Sequence, residues 1–397
     1  MSVPPGLHGV WRALPAGPRR AVLGQVAAWL GPRPDRPAPD VRLGVAVVGE
    51  LDRASGLGEA ARLHQRGLDA LGVPRWGAWA GSPLPPPGVP LVLHLNAAAL
   101  PLAMLRLGRR LIAGRRIVGV WPWELPIVPA AWRAGFGFVH EVWAPSVFSA
   151  EAVTRAAPAG FPPVRVVPYP VACGCFDVAP AVLDVPDGAV VTLVSFNLAS
   201  SFERKNPLAA IAAHRVAFGA RADRVLLMRV GNPGDFPADF ARLRAAAADL
   251  ANVRFDTRTL ARDEALAVMA ACDIVLSLHR SEGFGLVPAE AMMLEKPVVA
   301  TAWSGTADFL DERWSVPVAS RLVPAVDPRG VFVAEGGAPG AVWADPDVAA
   351  AAAALVRLAD DAGERRRMGL AARAAVGRLL GPEALGEAVR GLGLPVP

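Results

Sequence analysis

Long apolar runs are missing from this 397-residue chain. No stretch approaches the roughly 18 apolar residues that mark a bilayer-spanning helix. The longest candidate, residues 348–356, is mostly alanine and follows Asp345-Pro346-Asp347, a helix-start signal. Cysteine is scarce, with only Cys173, Cys175 and Cys272. The first two stand too close for ordinary disulfide geometry, the third is distant, and no His or Cys pair near them has zinc-ligand spacing. All three read as reduced thiols, which excludes a disulfide framework and suits a cytoplasmic protein. Lysine is rare, and no stripe of basic residues interleaved with aromatics appears, so nucleic acid is not an expected partner. The net charge of +5, from 41 basic and 36 acidic residues, fits anionic substrates or an anionic membrane surface.

What is present points to two domains, because the length lets each bury its own core. Residues 1–40 read as an appendage, one short helix followed by the proline-rich linker 31–39. Arg19-Arg20 before the apolar residues 21–30 resembles a twin-arginine export signal. No clean cleavage site follows, so a surface helix is the preferred reading, with peripheral contact at the inner membrane face a further expectation. Strand-like runs at 41–48, 90–95, 116–120 and 138–144 then alternate with helical stretches such as 58–71. Near 168–186 the pattern breaks into Pro, Gly and Cys. It restarts with strands at 189–196, 225–230, 253–255, 273–278 and 297–300, separated by helices, and ends in helices at 346–359 and 364–380. Such alternation predicts an α/β chain of two doubly wound parallel sheets. The domains are a first Rossmann-like domain over 41–180, a second over 181–380, and a tail over 381–397 expected to pack back on the first.

The most informative stretch runs from Ser281 to Glu290, directly after strand 273–278 and before a helix. Ligands bind where loops leave the carboxyl ends of strands in an open parallel sheet. Pro288 suits the first helical turn, so free amides around Leu286, Val287 and Ala289 are expected to face the loop as an anion site. Gly283 and Gly285 allow close backbone approach on either side of Phe284. Glu282 and Glu290 flank that site, and a carboxylate beside a phosphate makes sense as an acceptor for sugar or ribose hydroxyls. The plainer alternative is a glutamate cap and a common Gly-x-Gly turn.

Glu282 and Glu290, separated by seven residues, resemble the E-x7-E motif of the GT4 family of retaining glycosyltransferases. The segment 291–301 through Gly305 and Asp308 continues the resemblance, as does 360–369. It is specific over about 189–375 and looser before that. The resemblance implies a GT-B fold, a nucleoside-diphosphate sugar as co-substrate, and no cofactor or metal. It also implies that Glu290 binds the donor ribose, that Glu282 contacts the transferred sugar, and that the amides of Gly283 to Leu286, with Val287 beside them, hold the sugar and diphosphate.

Arg204 and Lys205 follow the first strand of the second domain. Adjacent cations at a strand-to-helix turn suit a departing diphosphate, and the resemblance assigns them that task, with Lys205 preferred. A solvated pair before a helix is the alternative. The family often carries Gly-Arg just after this strand, where this chain has Ser195-Phe196-Asn197; Asn197 is taken as a donor-site residue, and whether Arg204 replaces that arginine stays open. In the first domain, Gly56 and Gly58 within Ser55-Gly56-Leu57-Gly58-Glu59 resemble the glycine-rich loop lining the donor phosphates. Trp121-Pro122-Trp123-Glu124-Leu125-Pro126 resembles a Trp-Glu-Leu-Pro signature of a bacterial subset, with Glu124 touching the donor sugar or the acceptor nucleophile. The tryptophans serve either sugar stacking or core packing. His94, Asn96, His140, Glu141 and Ser146 are further cleft-lining candidates.

The implied activity is hexosyl transfer to an acceptor hydroxyl on a glycan, a lipid or a small-molecule glycoside, within glycan biosynthesis. The alternatives are a nucleotide-sugar epimerase of the same fold and a non-catalytic sugar-binding relative. A dinucleotide oxidoreductase is disfavoured, because no Gly-x-Gly-x-x-Gly follows the first strand with an acidic residue about 20 positions on.

Overall fold

The computed structural model describes residues 24–52, 55–78, 83–332 and 340–396. Two six-stranded parallel sheets form its frame, and their order decides where ligands can enter. The first contains β1 (Val45–Val48), β2 (Arg75–Ala78), β3 (Leu91–Leu93), β4 (Ile117–Val120), β5 (Glu141–Ala144) and β6 (Arg165–Val166), in the order 2-1-3-4-5-6. The second contains β7 (Val190–Asn197), β8 (Arg224–Gly231), β9 (Val253–Asp256), β10 (Ile274–Ser277), β11 (Val298–Thr301) and β12 (Val316–Val318), in the order 12-11-10-7-8-9. The latter is the Rossmann strand order, and its direction reverses between β7 and β10. The corresponding reversal in the first sheet falls between β1 and β3.

The central strands are Val/Ile/Leu-rich and buried on both faces, as β1, β3 and β4 show. That follows from helices covering a parallel sheet on both sides. The helices that matter most below are α1 (Gly56–Ala70), α2 (Leu100–Ile112), α3 (Val147–Ala156), α4 (Phe202–Lys205), α5 (Pro207–Phe218), α6 (Pro237–Ala246), α7 (Arg262–Ala271) and α8 (Leu286–Met293). After them come α9 (Val348–Asp360), α10 (Ala362–Leu379) and α11 (Glu383–Gly391). The last helix packs on α1, with Leu385 and Leu63 in one core cluster.

Two departures from expectation have simple causes. The first strand begins at Val45 and not at position 41, because Leu43 sits at φ +62°, outside the extended region that a strand requires. Strand β2 carries an exposed–intermediate–exposed–buried pattern, typical of an edge, and so lacks the apolar run that betrays a central strand. A two-stranded antiparallel hairpin, β13 (Ser320–Pro324) and β14 (Val342–Pro346), was also not expected. Phe332 between its strands and Trp343 on β14 are buried in the aromatic core of the first sheet, with Phe332 5.5 Å from the Trp123 ring. Residues 24–30 are helical; the remainder of the expected N-terminal appendage before them lies outside the described residues. No helix among the described residues is long and apolar enough to cross a membrane.

Candidate functional site

The carboxyl ends of β1, β4, β7 and β10 open onto one cleft of about 770 Å³ between the sheets. Its wall includes Gly56 from the α1 end, Glu124 after β4, and Asn197, Arg204 and Lys205 after β7. Residues 282–288 and Glu290 after β10 also line it. Two helix N-termini converge there. Ser55 caps α1 by accepting from the Gly58 amide at 3.1 Å, and a Cβ on Gly56 would come 4.0 Å from Leu286, the first residue of α8. Each N-terminus carries partial positive charge, so an anion in the gap feels both.

The amide supply is narrower than the sequence suggests. Helix α8 starts at Leu286, with Gly285 before it at φ +104°. Pro288 has no N–H, and the Ala289 amide already donates to the Gly285 carbonyl at 3.1 Å. Leu286 and Val287 are therefore the first-turn donors left over. Phe284 offers only its backbone, since its ring packs between Tyr169 and Phe309. Gly58 lies inside α1, buried and capped, and does not belong to the cleft wall. Asn197 is on the wall, but its carboxamide is occupied: it accepts from Ala199 and donates to Asn232, both at 2.8 Å.

The electrostatic centre is a quartet. Lys205 Nζ lies 2.5 Å from Glu282 Oε1, Arg204 Nη1 lies 3.2 Å from Glu282 Oε2, and Arg204 Nη2 lies 3.8 Å from Glu124 Oε1. Burial opposes the charge on Glu282, but Lys205 and Arg204 outweigh it and hold the carboxyl down at about 2. Burial pushes Glu124 up, against the pull of Arg204. The Lys205 ammonium is pushed down by burial despite Glu282 beside it. The two cations are not equivalent. Arg204 donates to the carbonyls of Ser281 at 2.8 Å and Ser200 at 2.9 Å, which braces the β7 and β10 loops together. Lys205 has Glu282 as its acceptor and, among the described residues, no such backbone tie from its ammonium.

Because the Glu282 carboxyl is lowered on folding, its contribution to stability is full above about pH 4.5 and fades as pH falls towards about 2. The difference in melting temperature between wild type and Glu282→Gln should therefore shrink on acidification through that window. A constant difference in a thermal-shift series would contradict the pairing.

The remaining candidates lie off the cleft wall. The Trp121 and Trp123 rings are buried in the first-sheet core, so they offer no sugar-stacking face. His94 is buried against His64, with their ring nitrogens 2.8 Å apart. His140 accepts from the Ile117 amide, and Glu141 accepts from Trp143 Nε1. Asn96 and these residues are absent from the cleft wall. Ser146 does reach across: its hydroxyl donates to the Gly283 carbonyl at 2.7 Å, as Ser149 does at 3.1 Å. Among the cleft-wall residues that escaped the sequence reading are Tyr169 and Arg262. Arg262 carried a faint signal, since a cation opening a helix opposes the dipole and implies a partner elsewhere.

Comparison with known proteins gives this geometry a context. A family model described as "Family 4 Glycosyltransferase in conflict systems" matches residues 150–382, more than half of the chain. No curated protein matches the sequence. Among solved structures, Anabaena HepE in complex with UDP and glucose is similar at 14% identity and TM-score 0.57, over 88% of this chain and 99% of that one. WaaG, a glycosyltransferase involved in lipopolysaccharide biosynthesis, is similar at 15% identity and TM-score 0.54, over 87% and 100%. Staphylococcus aureus TarM is similar at 11% identity and TM-score 0.53, over 77% of this chain; the chain spans about half of TarM, 55% of its length. At these identities the likeness is one of fold, and that fold is GT-B.

Proposed function

The chain belongs to the family 4 glycosyltransferases of conflict systems, and from that premise we propose that its cleft transfers a hexose, with retention, from a nucleoside-diphosphate sugar to an acceptor hydroxyl. The observation that carries this is the convergence of two helix N-termini with Lys205 and Arg204 in one gap flanked by Glu282 and Glu290. A diphosphate in the gap meets the Leu286 and Val287 amides. Glu290, 8% exposed on the first turns of α8, accepts from the ribose hydroxyls in this reading. Glu282 and Glu124 flank the sugar.

In the reaction, the bond from the anomeric carbon to the β-phosphate oxygen breaks while the acceptor oxygen bonds to that carbon. Negative charge grows on the leaving oxygen, where Lys205 stabilises it, and that phosphate takes the acceptor's proton. This assignment calls for no side-chain base. The quartet is neutral overall without substrate, so an arriving diphosphate competes with Glu282 for Lys205 and frees the carboxylate to accept a sugar hydroxyl. The acceptor belongs to glycan, lipid-linked or small-molecule glycoside synthesis.

The test measures binding and slow hydrolysis of UDP-, GDP- and ADP-sugars, which needs no acceptor. One donor class should bind and turn over, and Glu290→Gln should weaken its binding by about tenfold or more, the scale of a lost hydrogen bond to a charged group. Equal binding by wild type and variant would remove Glu290 from the donor site.

A further inference from the structure

Arg262 opens α7 from the second sheet's side of the cleft, yet its guanidinium is shared between the two halves of the molecule. Its Nη1 lies 2.9 Å from Glu290 Oε1 on α8 and 3.1 Å from Glu59 Oε1 on α1. Glu59 is 5% exposed and Glu290 8%. Two buried carboxylates from different halves thus meet across a single cation. Glu59 is further held by Arg62 at 2.8 Å and Arg66 at 2.5 Å, so its charge is secured on its own helix. Glu290 has no cation within ion-pairing distance other than Arg262 among the described residues, although Arg66 and, from β8, Arg229 also act on it electrostatically. The second terminal nitrogen of Arg262, Nη2, is buried without a partner.

We infer that Arg262 is a positioning residue for the donor: it keeps Glu290 ionised and aimed into the cleft while tying that carboxylate to α1 of the opposite half. The inference rests on the reading of Glu290 as the donor-binding carboxylate. Its physical content is a charge balance. Burial pushes the Glu290 carboxyl up and Glu59 adds to that push, with Arg262 as the main opposing charge. Without the guanidinium, two carboxylates face each other in a dry gap, and the less well paired one takes a proton. That one is Glu290. A protonated Glu290 keeps one acceptor oxygen but loses the charge that makes the ribose contact strong. Donor affinity then becomes a function of pH: it falls as pH drops through the raised carboxyl value and recovers above it.

The experiment is equilibrium binding of UDP-glucose, GDP-mannose and ADP-glucose from about pH 5.5 to pH 8.5, a range in which raised carboxyls titrate. These donors are esterified at both ends of the diphosphate, so their own charge stays constant across it. In Arg262→Gln, the pH midpoint of binding should rise by about one unit or more, seen as about tenfold weaker binding at the acid end and near-normal binding at the alkaline end. Arg262→Lys should restore most of the lost affinity. Glu59→Gln combined with Arg262→Gln should bring the midpoint back down, because the repelling carboxylate is gone; a merely structural role for Arg262 predicts no such recovery. A midpoint in Arg262→Gln equal to that of wild type, or uniform weakening at every pH, overturns the inference. Glu290→Gln serves as the separate arm. If it binds donor as wild type does, the donor-site reading itself fails; if it weakens binding while Arg262→Gln changes nothing, only the role of Arg262 fails.

Discussion

Lys205→Met should lower donor turnover by about 10²–10³-fold, the scale of removing one charge-stabilising donor from a transition state, or about 2.7–4 kcal/mol. Methionine keeps most of the side-chain volume, so the loss reports charge and not packing. The reason to single out Lys205 is its freedom. Arg204 spends two N–H groups on the Ser200 and Ser281 carbonyls, whereas the Lys205 ammonium is paired with a carboxylate that an incoming diphosphate can displace. Charge on the leaving oxygen is greater in the transition state than in the bound donor, so the defect should appear in kcat more than in donor affinity. Removing Arg204 should behave differently. Arg204→Met is expected to loosen the β7 and β10 loops as well, weakening donor binding and lowering the melting temperature together. If Lys205→Met turns over donor at the wild-type rate, the leaving group does not depart beside Lys205.

Gly369→Ala should cost about 2–3 kcal/mol of stability, against a helix-propensity gain of about 1 kcal/mol. Gly369 faces the turn after α8, where a Cβ would lie 1.9 Å from the Glu295 carbonyl oxygen and 2.6 Å from its carbon. That turn cannot easily retreat. Glu295 is held at φ +59°, and the amides of Leu294, Glu295 and Lys296 all bond back to carbonyls of α8. Helix α10 must therefore shift away, and with it the packing behind Glu290. Gly377, on the same helix, is the internal control, since a Cβ there meets nothing within 4 Å. Gly377→Ala should stabilise by about 0.5–1 kcal/mol. Urea denaturation of both variants decides the matter, and a Gly369→Ala variant as stable as Gly377→Ala would contradict the α8–α10 contact.

The parts of this molecule legible in its sequence are those where local pattern and tertiary role coincide. Buried parallel strands are continuous apolar runs, so β4, β7, β8 and β10 can be read directly. The loop from Ser281 to Glu290 announces itself because its glycines, carboxylates and helix start are consecutive. Lys205 stands out partly through rarity, being one of two lysines in the chain. What escapes is set by partners far away in sequence. Nothing local distinguishes Trp121 as a core residue from a sugar platform; burial beside Trp132 and Phe136 does. His94 looks like a cleft residue at a strand end until His64, 30 positions earlier, is found against it. Arg262 is separated from Glu59 by most of the first half of the molecule, and only the fold brings the two together.

The β13–β14 hairpin has a consequence for how such enzymes can be recombined. The linker over 174–189 looks like the natural place to cut, since one sheet ends before it and the other begins after it. Yet Phe332 and Trp343, downstream of that cut, complete the aromatic cluster built on Trp121, Trp123 and Trp132 upstream of it. A second half grafted onto a foreign first half would arrive with two large rings unhoused, and the first half left behind would carry a hole beside Trp123. Exchange of whole halves, in the laboratory or by gene recombination, therefore succeeds only if the segment around Trp121–Trp132 and the hairpin travel together.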